Sequence, residues 1–369
     1  MTSTLVILGS SLTALAVARD AHAHGLLPVI ADSEPGIAFR SRWIKRVWLA
    51  DADRREIMSR LARYAGSASA LIATSDHWLR FLVDGRAAFA GIFPCILHPG
   101  TETLKALLSK SAFAAWCLAQ SLPSPPSWNP RSGPRPDTLQ FPMLVRPCES
   151  APGCSMAGLP KAIEVRTQAE LEHWTQRFTS GGIAPLVSQS LLSQPVVQYS
   201  VPFARNATSL MSFVTRKVRP HPCQCSQGTC VELTENREVE KLGRLAAERA
   251  GYYGIGEAEI LHSPETGRNY LVEINARPWL QYAMAPASGH DFLGLMLDKT
   301  DQGAVPRRNG KTWINLRDDR FMTFSRSNGN AAVERVPLDA YLRSIARSNV
   351  YAVFDLHDPL PFVHTLLRR

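Results

Sequence analysis

The 369-residue chain contains no apolar run long enough to cross a bilayer as a helix, which removes an integral helical membrane protein from the readings. Residues 4–18 are small and apolar but lack the basic start of a secretory leader. They continue directly into Arg19-Asp20-Ala21-His22-Ala23-His24-Gly25, so a soluble, cytoplasmic protein is expected. Cysteine is sparse: seven residues, an odd number at irregular spacing, exclude a disulfide framework. Cys223, Cys225 and Cys230 lie close together next to His221, yet no Cys-x-x-Cys pair is present, so loop cysteines are expected and not a zinc finger. Glycine is missing where a dinucleotide fingerprint needs it. Gly9-Ser10-Ser11-Leu12-Thr13-Ala14 has the first glycine alone, with Asp32 after the second strand, which leaves an NAD-binding Rossmann domain as a rival reading. There is also no long basic block, although the formal charge is +9. The cations are scattered, so the surplus reads as background that partly lines an anion site, and nucleic acid is not expected as a partner.

What is present is an ordinary globular composition, 45% hydrophobic and 20% charged, long enough for two or three domains. Residues 1–100 read as an α/β unit with parallel strands at 4–8, 27–32 and 69–74 joined by helices. One helix is expected from Thr101 and another from Ser109. The second carries Lys110 in its first turn, against the helix dipole, which points to a purpose beyond local stability. Residues 122–136 are rich in Pro, Ser and Gly and read as a linker. Strands follow at 141–147, 161–165 and 184–189, with a helix at 167–179 and a Gly-bearing loop at 149–158 that either closes over a ligand or simply turns the chain. Antiparallel strands at 196–201 and 210–216, then a helix at 235–250 closed by Gly251, lead to the most informative segment.

That segment is a hairpin. Gly256-Glu257-Ala258-Glu259-Ile260-Leu261 and Tyr270-Leu271-Val272-Glu273-Ile274-Asn275-Ala276-Arg277 flank a turn rich in hairpin residues. Residues two apart on a strand share a face, so Glu273, Asn275 and Arg277 point one way, while Val272, Ile274 and Ala276 point into packing. Pairing would bring Glu259 beside Glu273 and Asn275. Two carboxylates and an amide oxygen suit a hard cation that also holds a phosphate; a charged, solvated hairpin face is the alternative.

In this order the segments resemble the ATP-grasp superfamily, carboxylate–amine ligase branch, which includes D-aspartate ligases and dipeptide-forming enzymes. Glu273-Ile274-Asn275-Ala276-Arg277 matches the Glu-x-Asn-x-Arg strand of that family. Ser41-Arg42-Trp43-Ile44, Leu107-Leu108-Ser109-Lys110, Phe141-Pro142-Met143-Leu144-Val145-Arg146-Pro147, Thr215-Arg216-Lys217-Val218-Arg219 and Asp358-Pro359-Leu360-Pro361-Phe362 resemble its other segments, and the likeness covers most of the chain. It implies a mixed α/β and α+β fold: an N-terminal Rossmann-like domain (1–100), a small lid subdomain (101–190), a large subdomain with the metal site (191–300) and a C-terminal extension packed on the clamp (301–369).

The resemblance also implies ATP and Mg2+ or Mn2+ as cofactors. Glu259, Glu273 and Asn275 would hold the metal. Lys110, Arg146 and Arg219 would contact phosphates, and Gln189, Ser190, Leu191, Leu192 and Gln198 would line the nucleotide hinge. Arg277 and Lys217 would be catalytic. Ser10, Ser11, Arg42, Trp279 and Gln281 are candidate substrate contacts. Two positions depart from the family: Arg146 stands where a Lys is usual, and the ribose-binding Glu is replaced by Ser190 or Gln198. The function implied is an ATP-dependent ligase that activates a carboxylate as an acyl phosphate and joins it to an amine, working on small molecules, possible as a homodimer. The alternative is a catalytically silent nucleotide- or metabolite-binding protein of the same fold.

Overall fold

The structure, a computed structural model, describes residues 3–66, 69–149, 158–191, 196–221, 227–298, 311–320 and 336–367. It opens with a five-stranded sheet in which every pair is parallel: β1 (Thr4–Leu8), β2 (Leu27–Asp32), β3 (Lys45–Trp48), β4 (Ser69–Ala73) and β5 (Cys95–Ile96), in the order β3-β2-β1-β4-β5. β1 and β4 are almost wholly apolar and buried, as a sheet covered on both faces requires. The connecting helices are α1 (Leu12–Ala23), α2 (Arg54–Ala62) and α3 (Asp76–Ala90). The three strands expected from the sequence are all there. β3 and β5 were not legible, because β3 buries Val47 alone beside exposed Lys45 and Arg46, and β5 is two residues long. α4 (Thr101–Leu108) and α5 (Lys110–Ala119) meet at Ser109, whose side chain accepts from the Ala112 N–H and so fixes Lys110 as the first residue of α5.

A separate four-stranded antiparallel sheet follows, in the order β6-β9-β7-β8: β6 (Ser127–Trp128), β7 (Met143–Pro147), β8 (Ile163–Val165) and β9 (Pro185–Gln189). α6 (Gln168–Ser180) covers it, and Met143, Val145, Val165, Leu171, Phe178 and Val187 form its own core. The stretch read as a linker therefore contributes a strand as well, since Ser127 and Trp128 pair with Ser188 and Val187.

The large sheet has eight strands in the order β15-β14-β10-β12-β13-β16-β17, with β11 on β10. They are β10 (Val197–Arg205), β11 (Leu210–Ser212), β12 (Val214–His221), β13 (Gln227–Thr234), β14 (Gly254–His262), β15 (Asn269–Asn275), β16 (Thr312–Ile314) and β17 (Val350–Tyr351). The helices here are α7 (Arg237–Arg249), α8 (Met284–Ala287), α9 (Phe292–Met296), α10 (Leu316–Asp319), α11 (Leu338–Arg347) and α12 (Leu360–Leu367). α7 lies close on β10 because Gly243 has no Cβ; one added there would stand 2.6 Å from the Val201 Cβ. The C-terminal region supplies two strands of this sheet, so it is part of the sheet and not only packed against it. Cys223 and Cys225 lie outside the described residues; Cys230 is a buried free thiol. Among the described residues, no helix is long and apolar enough to cross a membrane.

Buried polar contacts join the first sheet's helices to the chain that follows β15. The Tyr282 hydroxyl donates to Asp20 at 2.6 Å, and His24 lies between Asp20 and Asp291, with Nε2 2.8 Å from Asp291 Oδ1. Hydrogen bonds donated to Asp20 and then to Asp291 raise the His24 pKa from 6.5 to about 10, outweighing the effect of burial. A raised cation stabilises the fold fully below its unfolded pKa, and that contribution disappears as pH climbs through the folded value. The destabilisation caused by His24→Gln is therefore expected to be on the order of 3 kcal/mol at pH 6. It should shrink as pH rises from 6.5 to about 10, in paired thermal melts. A pH-independent difference would rule out the charged clamp.

Candidate active site

The site begins with the pairing of β14 and β15, which sets Glu257 opposite Asn275 and Glu259 opposite Glu273. Glu257, Glu259, Glu273 and Asn275 line one cleft, and the Asn275 Nδ2 donates to Glu257 Oε2 at 3.0 Å and to Glu259 Oε1 at 3.1 Å. One expectation is corrected here. Val272 is not a core residue of a regular strand but the extra residue of a bulge, since Ile260 pairs with Leu271 while Glu259 pairs with Glu273. Leu271 takes the core position at 0% exposure. Glu257 was not singled out from the sequence, although its spacing of two from Glu259 puts it on the same face.

Like charges placed directly opposite each other on a sheet are unfavourable. The Glu257 carboxyl is pushed up to about 7, first by burial and then by Glu259, against the hydrogen bonds from Ser200 and Asn275 and the charge of Lys217. Burial also raises Glu273; Lys110 and Arg146 oppose that, and Glu259 adds to it. The Lys110 Nζ is 3.9 Å from Glu273 Oε1, so the cation at the start of α5 reaches the carboxylates. Arg146, half-buried on β7, exerts its charge on the same group.

Arg277 follows the end of β15 and also lines the cleft. Its Nε donates to Asp76 Oδ1 at 2.6 Å, and Asp76, in the first turn of α3, is a cleft residue with no motif around it to mark it in the chain. Burial alone would lower the Arg277 pKa, but Asp76 outweighs it and raises the group further. The backbone is held as well. The His98 Nε2 accepts from the Ala73 N–H at 2.7 Å, which leaves Nδ1 as the protonated nitrogen donating to the Ala276 carbonyl at 3.0 Å. Burial drives the His98 pKa down to about 3, so the ring stays neutral and keeps this tautomer.

Lys217 lines the cleft together with Ser200 and Thr215, and its stem crosses Gly228, where an added Cβ would lie 2.8 Å from the Lys217 Cγ. Arg219 is not brought to the site. A bulge between Lys217 and Arg219 breaks the alternation, so Arg219 turns to the opposite face of the sheet. There it forms a buried pair with Asp319, Nε to Oδ1 at 2.9 Å and Nη2 to Oδ2 at 2.7 Å, and also donates to Ser344. The expectation of a phosphate contact from Arg219 is therefore withdrawn on geometric grounds.

Of the residues expected to line a nucleotide hinge, Gln189 is tied to the small sheet: its Oε1 accepts from the Gln140 N–H and its Nε2 donates to the Pro142 carbonyl. The buried Ser190 donates to Glu164 Oε2 at 2.6 Å, which sets beside it a carboxylate from β8, a strand expected at 161–165 but not as a source of a site residue. Leu191 is half-buried, Gln198 pairs across to Leu261 from β10, and Leu192 lies outside the described residues. The rival dinucleotide reading loses its key residue, because Asp32 accepts from the Ser10 hydroxyl, the Ser33 N–H and the Trp78 indole, and so serves as an internal knot. Trp279 and Gln281 do border the cleft; the Gln281 Nε2 donates to the Gly228 carbonyl.

No protein-family model matches the sequence, and no curated protein matches it. Solved structures do resemble it. The ADP complex of an N5-carboxyaminoimidazole ribonucleotide synthetase superposes with a TM-score of 0.65 at 11% identity, covering 94% of this chain and 96% of that one. An L-amino acid ligase from Bacillus licheniformis gives a TM-score of 0.60 at 13% identity, covering 84% and 78%. Rhizobium etli pyruvate carboxylase, a T882A variant with acetyl coenzyme A, gives 0.62 at 17% identity over 84% of this chain, which spans 29% of that longer one. The chain has the ATP-grasp fold. At such identities the likeness carries the fold alone, so the chemistry of this chain rests on its cleft.

The ATP-grasp fold implies a divalent cation, and the donor set fits one. Among the described residues, no three His, Cys, Asp or Glu side chains are gathered to cage an ion by themselves. The cleft offers instead two facing carboxylates, Glu259 and Glu273, and the Asn275 amide oxygen, which has no partner among the described residues once Nδ2 is committed. A hard cation that keeps water and phosphate oxygens among its ligands needs only such a partial set, and it relieves the crowding of carboxylates that raises Glu257 and Glu273.

Proposed function

We propose that this protein is an ATP-dependent ligase that converts a small carboxylic acid to its acyl phosphate and couples it to an amine, releasing ADP and phosphate. The convergence of Glu259, Glu273 and Asn275 with Arg277, Lys217 and Lys110 around one cleft carries this reading. In it, the four-stranded and eight-stranded sheets are the two halves of the nucleotide clamp, and the chain divides near residues 100, 190 and 300. Gln189, Ser190, Leu191, Leu192 and Gln198 border the nucleotide, and Glu164 is the carboxylate available to its ribose.

When bound, Mg2+ would supply positive charge to the phosphates, held by Glu259, Glu273 and Asn275. Lys110 and Arg146 bind phosphate oxygens from the side of the small sheet. Lys217 meets charge from the large sheet. Arg277, held from both sides by Asp76 and by the His98–Ala276 contact, faces the oxygens of the acyl phosphate and of the tetrahedral species formed when the amine attacks. No covalent enzyme intermediate is required; positioning and electrostatics suffice.

The test is ADP release by the purified chain with ATP, Mg2+ and a panel of carboxylic acids, alone and with amines. Release that depends on an acid–amine pair is expected. MgADP binding by calorimetry without release across the panel would instead favour the silent binding protein.

A further inference from the structure

The cleft holds one carboxylate that neither the metal nor the nucleotide requires. Asp76 is the residue lining it that comes from the N-terminal parallel-sheet unit, across from the strands that carry Glu257, Glu259 and Glu273. Its Oδ1 is committed to the Arg277 Nε at 2.6 Å. Its Oδ2 takes no hydrogen bond among the described residues, and the side chain is 31% exposed. A carboxylate in the first turn of a 15-residue helix is stabilised by the helix dipole and has no need of a second protein cation. The free oxygen therefore borders the cleft as an anion directly beside the group assigned to the acyl phosphate.

Resting on the ligase reading, we infer that Asp76 forms the subsite for the ammonium group of the amine substrate. Arg277 attracts the acyl oxygens and Asp76 attracts the positively charged nitrogen. Because the two side chains touch, the nitrogen is delivered next to the carbon it must attack: the ammonium gives one proton to water, its freed lone pair forms the C–N bond, the carbon–oxygen bond to phosphate breaks, and the departing phosphate takes the second proton. The other carboxylates of the cleft lie on β14 and β15 with the metal donors, so an ammonium drawn to them would compete with the cation and not meet the acyl carbon. The substrate class is a primary amine that is protonated at neutral pH.

Asp76→Asn separates the two roles of the residue. Its amide oxygen still accepts from the Arg277 Nε, while the negative charge is gone. The probes are hydroxylamine, an acceptor that is uncharged at neutral pH, and a set of cationic amines comprising methylammonium and the common amino acids. Each is assayed for product and for competition against hydroxamate formation with the acid that supports turnover. In Asp76→Asn the KM or inhibition constant for cationic amines should rise about 10- to 100-fold, the value of a charge-assisted hydrogen bond. Hydroxamate formation should fall several-fold less. Asp76→Glu should recover part of the loss, and Asp76→Ala should lower both reactions because Arg277 then loses its anchor. MgADP binding and the melting temperature serve as folding controls for each variant.

Equal losses for hydroxylamine and cationic amines in Asp76→Asn would reduce Asp76 to a positioning residue for Arg277 and overturn the inference. So would a wild type that uses hydroxylamine but is neither served nor inhibited by any cationic amine. A wild type that forms no hydroxamate and releases no ADP with any acid would remove the ligase reading itself, a different and recognisable failure.

Discussion

Turnover with ATP is expected to fall about 100- to 1,000-fold in Glu273→Gln, the range seen when a single group aimed at developing transition-state charge is lost. The change is nearly isosteric. It removes the negative charge facing Glu259 and the anion 3.9 Å from the Lys110 Nζ. With one carboxylate left, the cleft holds a phosphate-bridging cation weakly. The same substitution should not destabilise the protein without ligand. Burial and Glu259 raise the Glu273 pKa, so its charge is a burden to the folded state that Gln does not carry. The expected result is a melting temperature at or above that of the wild type together with a collapse of ADP release. Full turnover in Glu273→Gln would refute the metal assignment. Joint loss of activity and stability would show that the variant fails by unfolding, and Glu259→Gln, on the facing strand, then becomes the deciding variant.

Asp319→Ala should have the largest effect on stability, a loss of about 3–5 kcal/mol, because removing one member of a buried ion pair strands the other. Asp319 is 0% exposed and accepts from Arg219 and from the Thr229 hydroxyl at 2.6 Å, while Arg219 is 7% exposed. Thermal unfolding should move down by on the order of 10 °C. Replacing both partners, as Arg219→Met with Asp319→Leu, should recover much of that loss, since it leaves no charge uncompensated. At temperatures where the variants remain folded, their MgADP affinity should stay within about twofold of the wild type. A large loss of nucleotide affinity with unchanged stability would return Arg219 to the phosphate site.

These two predictions separate what could be read from the chain from what could not. Glu259, Glu273 and Asn275 were legible because a β-hairpin is a local structure. Its turn and its period of two determine which side chains share a face over a span of about twenty residues. Lys110 was legible as a cation in an unfavourable place at a helix start, and the structure brings it to Glu273. Arg219 was misread for an equally physical reason. The extra residue Val218 puts Arg219 on the face opposite Lys217, and nothing in the side-chain pattern announces a bulge. The bulge at Val272 is of the same kind. β6, inside the Pro-rich stretch, was hidden because two residues carry no periodicity.

Readable from the chain alone were the parallel α/β start, the longer strands and helices, and a carboxylate–amide–guanidinium strand, since each depends on neighbours within a few turns or strands. Long-range packing was needed to reveal that Asp76, 201 residues before Arg277, is its partner, and that His98 holds the backbone beside it through Ala276. The same long-range packing makes Asp32 an internal knot, brings Glu164 to Ser190, and lets the C-terminal region complete the large sheet. Those contacts join segments whose separation along the chain leaves no periodic trace. They arise from burial, which forces each polar group withdrawn from water to find a partner wherever the packed elements happen to bring one.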